Sequence, residues 1–235
     1  MNRKLMLVED DEVIRENYTD LLSDEGFQVK ACSEREEALV RCQEELPDLV
    51  LVDIRLHEER EGGYVLCSDL RRLYPRLPIV FLSSYDSEAD RISGFRLGAD
   101  DYLNKDISAA HLLVRIESIL RRTQIMMSSR QAANEGDSNN FTRAGLSIDR
   151  QANRVSWQGK PVDLTLSQFH MVCCLALSPG QVKTHGQLMR AADLYVETNT
   201  IVAHVKTIRD RFRRIALDFD CIRTERGRGY RWIDS

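Results

Sequence analysis

Four short apolar runs each lead into groups able to do chemistry. LMLV (5–8) leads into Glu9, Asp10 and Asp11, and LVLV (49–52) into Asp53. IVFL (79–82) leads into Ser83 and Ser84, and DYL (101–103) into Asn104 and Lys105. Neighbouring carboxylates repel, so something should compensate them. A hard cation such as Mg2+ (or Mn2+) does so, taking oxygen ligands while keeping several waters. A cation also lowers the cost of placing Asp10 beside Asp53 and favours Asp53 as a nucleophile. Lys105 would then neutralise an added phosphoryl group, and the Ser83 hydroxyl would hydrogen-bond it. Each group alone has a plainer reading. Acids before a helix cap it, and Asp11 fits that role. A strand-end Asp makes a turn, a Ser a cap, and a Lys a solvated charge. All of them at successive strand ends point instead to a shared crevice.

Amphipathic helical patterns at 12–24, 34–45, 64–73, 87–97 and 108–121 separate those runs; Leu112, Ile116, Ile119 and Leu120, for example, share one face. Apolar strands alternating with such helices predict an α/β doubly wound, five-stranded parallel sheet covered on both faces. Ligands bind such sheets at the carboxyl ends of the strands, where the four groups lie.

Length and charge divide the chain. Its 235 residues suffice for two ordinary domains. Residues 1–122 hold 17 Lys and Arg against 26 Asp and Glu, a balance of −9, whereas 143–235 hold 15 against 9, a balance of +6. The acidic and basic halves predict different partners, with nucleic acid for the basic one. Between them, 123–142 is polar and aperiodic, which predicts a flexible linker. No window approaches the ~20 apolar residues of a membrane span, and MNRKLMLVED has too short an apolar stretch for a secretory signal. The six cysteines (32, 42, 67, 173, 174 and 221) lack zinc-like spacing and read as reduced core thiols of a cytoplasmic protein.

In the basic half, helical patterns cover TLSQFHMVCCLAL (165–177), THGQLMRAA (184–192) and TNTIVAHVKTIRDRFRRI (198–215). In the third, Ile201, Val205, Ile208 and Phe212 form a core stripe. Opposite stand Asn199, Ala203, Lys206 and Asp210, flanked by Thr207 and Arg213, groups that suit a helix in a DNA major groove. Asp210 argues the other way. CIRTERGRGYRWID then reads as a hairpin bearing Arg223, Arg226, Arg228, Arg231 and Tyr230, able to reach phosphates or a minor groove.

LVEDDEVIR, LVLVDIRL, IVFLSSYD and LGADDYLNKDIS resemble the receiver domain of two-component response regulators, over about 3–122. The resemblance implies Asp53 as phosphoacceptor. It implies Mg2+ held by Glu9, Asp10, Asp53 and the backbone carbonyl of Arg55, with Ser83 and Lys105 reading the phosphoryl group. Tyr102 would be the aromatic that turns inward on activation. LTLSQFHMV, QLMR, YVETNTIVAHVKTIRDRF and IRTERGRGYRW resemble the OmpR/PhoB-type winged helix-turn-helix effector, an α+β domain, over 143–235. By position, Thr200, His204, Lys206 and Arg209 would contact phosphates or anchor the helix. Thr207 falls where many members carry a base-reading Arg, and Thr224, Arg226 and Tyr230 fall in the wing. The short MRAADLYVE implies a truncated loop toward RNA polymerase, and Val202 with Thr207 an atypical operator. The family pairs receivers through the fourth helix, fifth strand and fifth helix, here bearing Arg91, Arg96, Asp100, Asp101, His111, Arg115 and Glu117. An Asp101–Arg115 pair is expected there, and a protonated His111 would face Arg91 with like charge.

Three departures stand out. Asp106 replaces the usual Pro after the lysine, a position generally reached through a cis peptide; a non-proline cis bond costs about 3 kcal/mol, so the loop absorbs strain or goes trans. RLHEEREGGY after Asp53 is long and charged and lacks a Pro, and Ser84 stands where Ala or Gly is common, which narrows access slightly.

The leading expectation is a transcriptional response regulator, phosphorylated on Asp53 by a sensor histidine kinase, dimerising and binding repeated DNA half-sites. The alternative is a DNA-binding factor that works without phosphorylation. An aspartyl-phosphate phosphatase would want an acid two residues after the nucleophile, and Asp53-Ile54-Arg55 lacks one; no enzyme is expected.

Overall fold

All four residues of LVLV are buried, as a strand covered by helices on both faces requires. In this computed structural model, residues 3–57, 61–84, 87–128, 140–150, 152–192 and 198–234 are described. The chain divides into two compact units, Met1–Leu120 and Arg121–Ser235.

The first unit alternates β1 (Lys4–Val8), α1 (Glu12–Asp24), β2 (Gln28–Cys32), α2 (Arg35–Glu44) and β3 (Leu49–Val52). It continues through α3 (Gly62–Leu73), β4 (Ile79–Ser83), α4 (Glu88–Leu97), β5 (Asp101–Asn104) and α5 (Ala109–Ser128). The parallel sheet has order β2-β1-β3-β4-β5, with Val8 beside Val52, Val52 beside Phe81 and Ser83 beside Asn104. Because side chains alternate along a strand, Leu5, Leu7, Leu49, Leu51, Val80 and Leu82 pack with Leu22 of α1 and Leu112, Ile116 and Ile119 of α5. On the other face Met6 meets Cys42 of α2, and Phe81 meets Tyr64 of α3 and Gly94 of α4. Asp11 caps α1 by accepting from the Ile14 amide at 2.9 Å. Strand β2, QVKAC, has no apolar run of its own, because as an edge strand it is only partly buried.

The second unit begins with an antiparallel sheet that the patterns of apolar residues had not announced. It comprises β6 (Asn140–Arg143), β7 (Leu146–Asp149), β8 (Arg154–Trp157) and β9 (Lys160–Val162). Two tight turns, Ala144-Gly145 and Gln158-Gly159, join its hairpins with positive φ at both residues, the geometry that matches strand twist. There follow α6 (Leu166–Ala176), α7 (His185–Ala191), α8 (Thr198–Arg213), β10 (Ile222–Glu225) and β11 (Gly229–Trp232). Thr165 with Gln168 and Thr184 with Gln187 form capping boxes that start α6 and α7. Ile201, Val205, Ile208 and Phe212 of α8 are fully buried, as their spacing predicts. Phe212 stacks on Phe219 at 4.3 Å, and Trp157 and Trp232 pack edge-on around the pair.

Within the stretch 123–142 expected as a linker, α5 runs on to Ser128 and β6 begins at Asn140. The remainder, 129–139, lies outside the described residues, as does the 193–197 loop expected to face polymerase. Among the described residues, no helix is long and apolar enough to cross a membrane.

Candidate metal centre and nucleic-acid interface

The ends of β1, β3, β4 and β5 converge. The Asp53 amide extends the ladder to the Val8 carbonyl at 2.9 Å, which leaves its side chain at the sheet's carboxyl edge, 8% exposed. There Oδ1 accepts from the Ile54 amide at 2.6 Å and Oδ2 from Lys105 Nζ at 2.8 Å. The same ammonium lies 2.6 Å from Glu9 Oε2. Glu9, Asp10 and Asp53 can each offer an oxygen, all within 4.8 Å of one another. Glu9 is 1% exposed, and its Oε1 is buried with no hydrogen-bond partner among the described residues. A buried carboxylate oxygen without a donor is costly, so this donor set fits a hard, oxygen-seeking cation. Burial pushes the Glu9 carboxyl up to about 7; the Lys105 hydrogen bond opposes the rise and the Asp53 charge adds to it. Burial works against the Lys105 ammonium, but hydrogen bonds to Asp53 and Glu9 outweigh it and raise its pKa.

The other expected residues surround this centre. Ser83 is buried at the end of β4, and its carbonyl accepts the Lys105 amide at 3.1 Å. Ser84 beside it is exposed, as is Arg55 in the loop after Asp53. Tyr102 already lies inward, 5% exposed and tilted against Phe81. The described chain contains no cis peptide, so Lys105–Asp106 is trans. Asn104 Oδ1 accepts the Asp106 amide at 2.8 Å, a bond that a proline could not make, and Tyr18 Oη donates to the Lys105 carbonyl.

Two residues of this site were missed in the sequence. His57 has φ 54 and donates its amide to Asp10 Oδ2 at 2.8 Å. Gly63 bonds its amide to the Ile54 carbonyl, and a Cβ there would stand 2.0 Å from the Asp53 carbonyl oxygen. The charged loop was visible, but only the fold brings His57 to Asp10; the paired Gly62-Gly63 was the available signal.

Three of the residues expected on the pairing face are buried instead. Asp101 accepts from Arg115 Nε at 2.8 Å within the same chain, and both are almost wholly enclosed. Asp100 pairs with Arg71 Nη2 at 2.5 Å and also accepts the Ile79 amide. Desolvation drives these charges to partners inside their own unit. Arg96, His111 and Glu117 are exposed and Arg91 half-buried.

Helix α8 needs a similar correction. Thr200, Ala203 and His204 are buried, because packing against α6, α7 and the hairpin widens the buried stripe beyond four residues. Burial depresses the His204 pKa to about 3. Arg209 donates to the Ile222 carbonyl at 2.7 and 3.1 Å and to Thr224 Oγ1 at 2.9 Å, and lies 5.6 Å over the buried Tyr230 ring. Arg209, Thr224 and Tyr230 therefore stitch helix to hairpin. Lys206, Arg213, Arg226 and Arg228 are exposed, with Val202 among them and Thr207 half-buried. Arg223 and Arg231 are held by Asp220 and Glu225. The Asn199 side chain lies outside the described residues.

The response regulator receiver domain family matches residues 5–117, and the family of C-terminal domains of transcriptional regulatory proteins matches 159–232. The chain is 32% identical to the transcriptional regulatory protein CreB of Escherichia coli (strain K12), over 95% of each chain. It is 34% identical to the phosphate regulon transcriptional regulatory protein PhoB of Rhizobium meliloti (strain 1021), over 97% of each. A RitR mutant structure shares the fold over the full length of both chains, at TM-score 0.76 and 21% identity. With the acidic crevice in one unit and the helix–hairpin surface in the other, the chain belongs to the OmpR/PhoB family of two-component transcriptional response regulators.

Proposed function

We propose that the chain switches promoter binding by phosphorylation of Asp53 from a sensor histidine kinase. The observation that carries this reading is the convergence of Glu9, Asp10, Asp53 and Lys105 on one crevice. When bound by Glu9, Asp10, Asp53 and the Arg55 carbonyl, Mg2+ (or Mn2+) supplies charge compensation for the phosphoryl oxygens. An Asp53 carboxylate oxygen forms the new bond to phosphorus as the P–N bond to the kinase imidazole breaks, its electron pair staying on that nitrogen. Lys105 shifts its ammonium from the carboxylates to a phosphoryl oxygen, and the Ser83 hydroxyl donates to another. Movement at Ser83 passes through Tyr102 to α4, β5 and α5, where Arg96 and Glu117 pair two receivers and a protonated His111 opposes Arg91 with like charge. The paired effectors then bind half-sites about one DNA turn apart. Lys206, Arg213, Arg226 and Arg228 meet phosphates, while Thr207, Asn199 and Val202 face bases. RNA polymerase is the downstream partner and the cytoplasm the setting.

The test is uptake from a small acyl phosphate with Mg2+, read by intact mass. Wild type gains one phosphoryl group and Asp53→Asn none; uptake by the variant overturns the assignment. A phosphorylation-independent DNA binder is favoured by one observation, Tyr102 already lying inward. That reading requires the same promoter affinity with and without beryllofluoride and Mg2+.

A further inference from the structure

In the first unit, His57 is the one described non-glycine residue with positive φ. The other three (Ala144, Asn153 and Gln158) lie in the turns of the second unit's small sheet, where the left-handed region is what a tight hairpin asks for. His57 joins no such hairpin, and a Cβ makes its conformation disfavoured. Such a backbone outlier persists only where its surroundings hold it in place.

The conformation aims the His57 amide at Asp10 Oδ2, 2.8 Å away. It also lays the imidazole between two carboxylates, with Nδ1 3.9 Å from Asp10 Oδ2 and Nε2 3.8 Å from Glu34 Oε1. Asp10 follows β1, Glu34 precedes α2 and His57 follows β3, so three loops meet at the rim of the crevice. Asp10 is also the most solvent-accessible of the three carboxylates that face one another there. Left to itself, it would turn among several rotamers.

We infer that His57 is a positioning residue for the cation, its left-handed backbone holding the Asp10 carboxylate in the orientation that completes the site. A ligand ordered before the ion arrives loses less freedom on binding. Orientation also matters unequally between ions: Mg2+ demands near-octahedral geometry at short distances, whereas Ca2+ tolerates irregular shells. Losing the His57 hydrogen bond therefore weakens Mg2+ and Mn2+ more than Ca2+. The inference rests on the reading of Glu9, Asp10 and Asp53 as a cation site.

The experiment titrates the full chain with Mn2+, followed by the electron paramagnetic resonance of the free ion, with Mg2+ and Ca2+ as competitors. His57→Gly keeps the amide and accommodates the positive φ, so its Mn2+ Kd stays within about twofold of wild type. His57→Pro has no amide and cannot adopt the conformation; its Kd rises at least fivefold and its preference for Mg2+ over Ca2+ falls. His57→Ala keeps the amide but is strained, and falls between the two. Melting without metal identifies any variant that fails to fold. Should proline disrupt the fold, the alanine–glycine difference decides. Equal Kd values and equal Mg2+/Ca2+ preference across wild type and the folded variants overturn the role of His57. Asp10→Ala separates the premise: unchanged Mn2+ binding there overturns the cation-site reading itself.

Discussion

Replacing Gly63 with alanine should unseat the acceptor loop and little else. The added Cβ would lie 2.0 Å from the Asp53 carbonyl oxygen and 2.8 Å from Ile54 Cα, both rigid backbone atoms. Ordinary contact begins near 3.4 Å, so the first helical turn of α3 and the β3 end must separate by about 1.4 Å. Overpacking typically costs about 1–3 kcal/mol, and a backbone partner puts this case near ~3 kcal/mol. For a unit of this size that corresponds to a fall in Tm of roughly 10 °C. Both tryptophans, Trp157 and Trp232, belong to the second unit, so their fluorescence follows that unit alone, whereas far-UV circular dichroism follows both. The circular-dichroism transition should split, its first-unit part moving down while the fluorescence transition stays put. An ångström-scale displacement of Asp53 should also slow phosphoryl uptake by on the order of 10²-fold. Wild-type melting together with wild-type uptake would refute the close approach of α3 to the acceptor strand.

Four other outcomes are expected. His204, with its folded pKa at about 3, stays neutral while the unfolded chain takes up a proton below its ordinary 6.5. Stability of the second unit is therefore complete above about pH 6.5 and falls with acidification, by about 2 kcal/mol at pH 5; His204→Gln should flatten that fall in fluorescence-monitored unfolding. Arg209→Ala severs the helix from Ile222 and Thr224 and should cost about 1.5–3 kcal/mol in the same assay, with weaker DNA binding. Arg226→Ala and Arg228→Ala should each lower the slope of log affinity against log salt by about 1 without altering stability, as titration of a promoter duplex would show. Asp106→Pro deletes the amide bond to Asn104 and should slow phosphoryl uptake, against which Asp106→Ala is the control.

The strand-end chemistry was legible in the sequence because a parallel sheet converts sequence order into spatial order. Residues that follow apolar runs must gather at one edge, and Glu9, Asp53, Ser83 and Lys105 do so. The core stripe of α8 was legible because period 3.6 is local information. What failed depended on neighbours distant in the chain. Thr200, Ala203 and His204 carry polarity or size that suits an exposed face, yet the packing of α6, α7 and the hairpin encloses them. Asp100 looks like a surface charge until Arg71 supplies its partner, and the expected Asp101–Arg115 pair forms but is buried within its own unit. The small sheet of β6–β9 was missed although Leu146, Ile148, Val155 and Trp157 alternate, because each strand is only three or four residues long. Its signature was in the turns: glycine preceded by Ala144 or Gln158, between alternating segments.

Arg71 has a mechanical consequence. Its guanidinium donates to the carbonyls of Gly98, Pro75 and Leu77 and to Asp100, and thus bolts the C-terminal end of α4 to the body of the first unit. The opposite end begins at Ser87, which accepts the Asp90 amide of its own helix, and the hydrogen bond from Tyr64 Oη to the Asp90 carbonyl at 3.0 Å ties that turn to α3. A rod held more firmly at one end swings about that end, and the fulcrum here is Gly98. Over ten residues α4 is about 15 Å long, so a turn of about 10° carries its far tip roughly 2.5 Å. Arg91, in the first turn, travels most of that distance, whereas Arg96, beside the fulcrum, scarcely moves. Buried at the fulcrum, one cation therefore sets which end of α4 travels further.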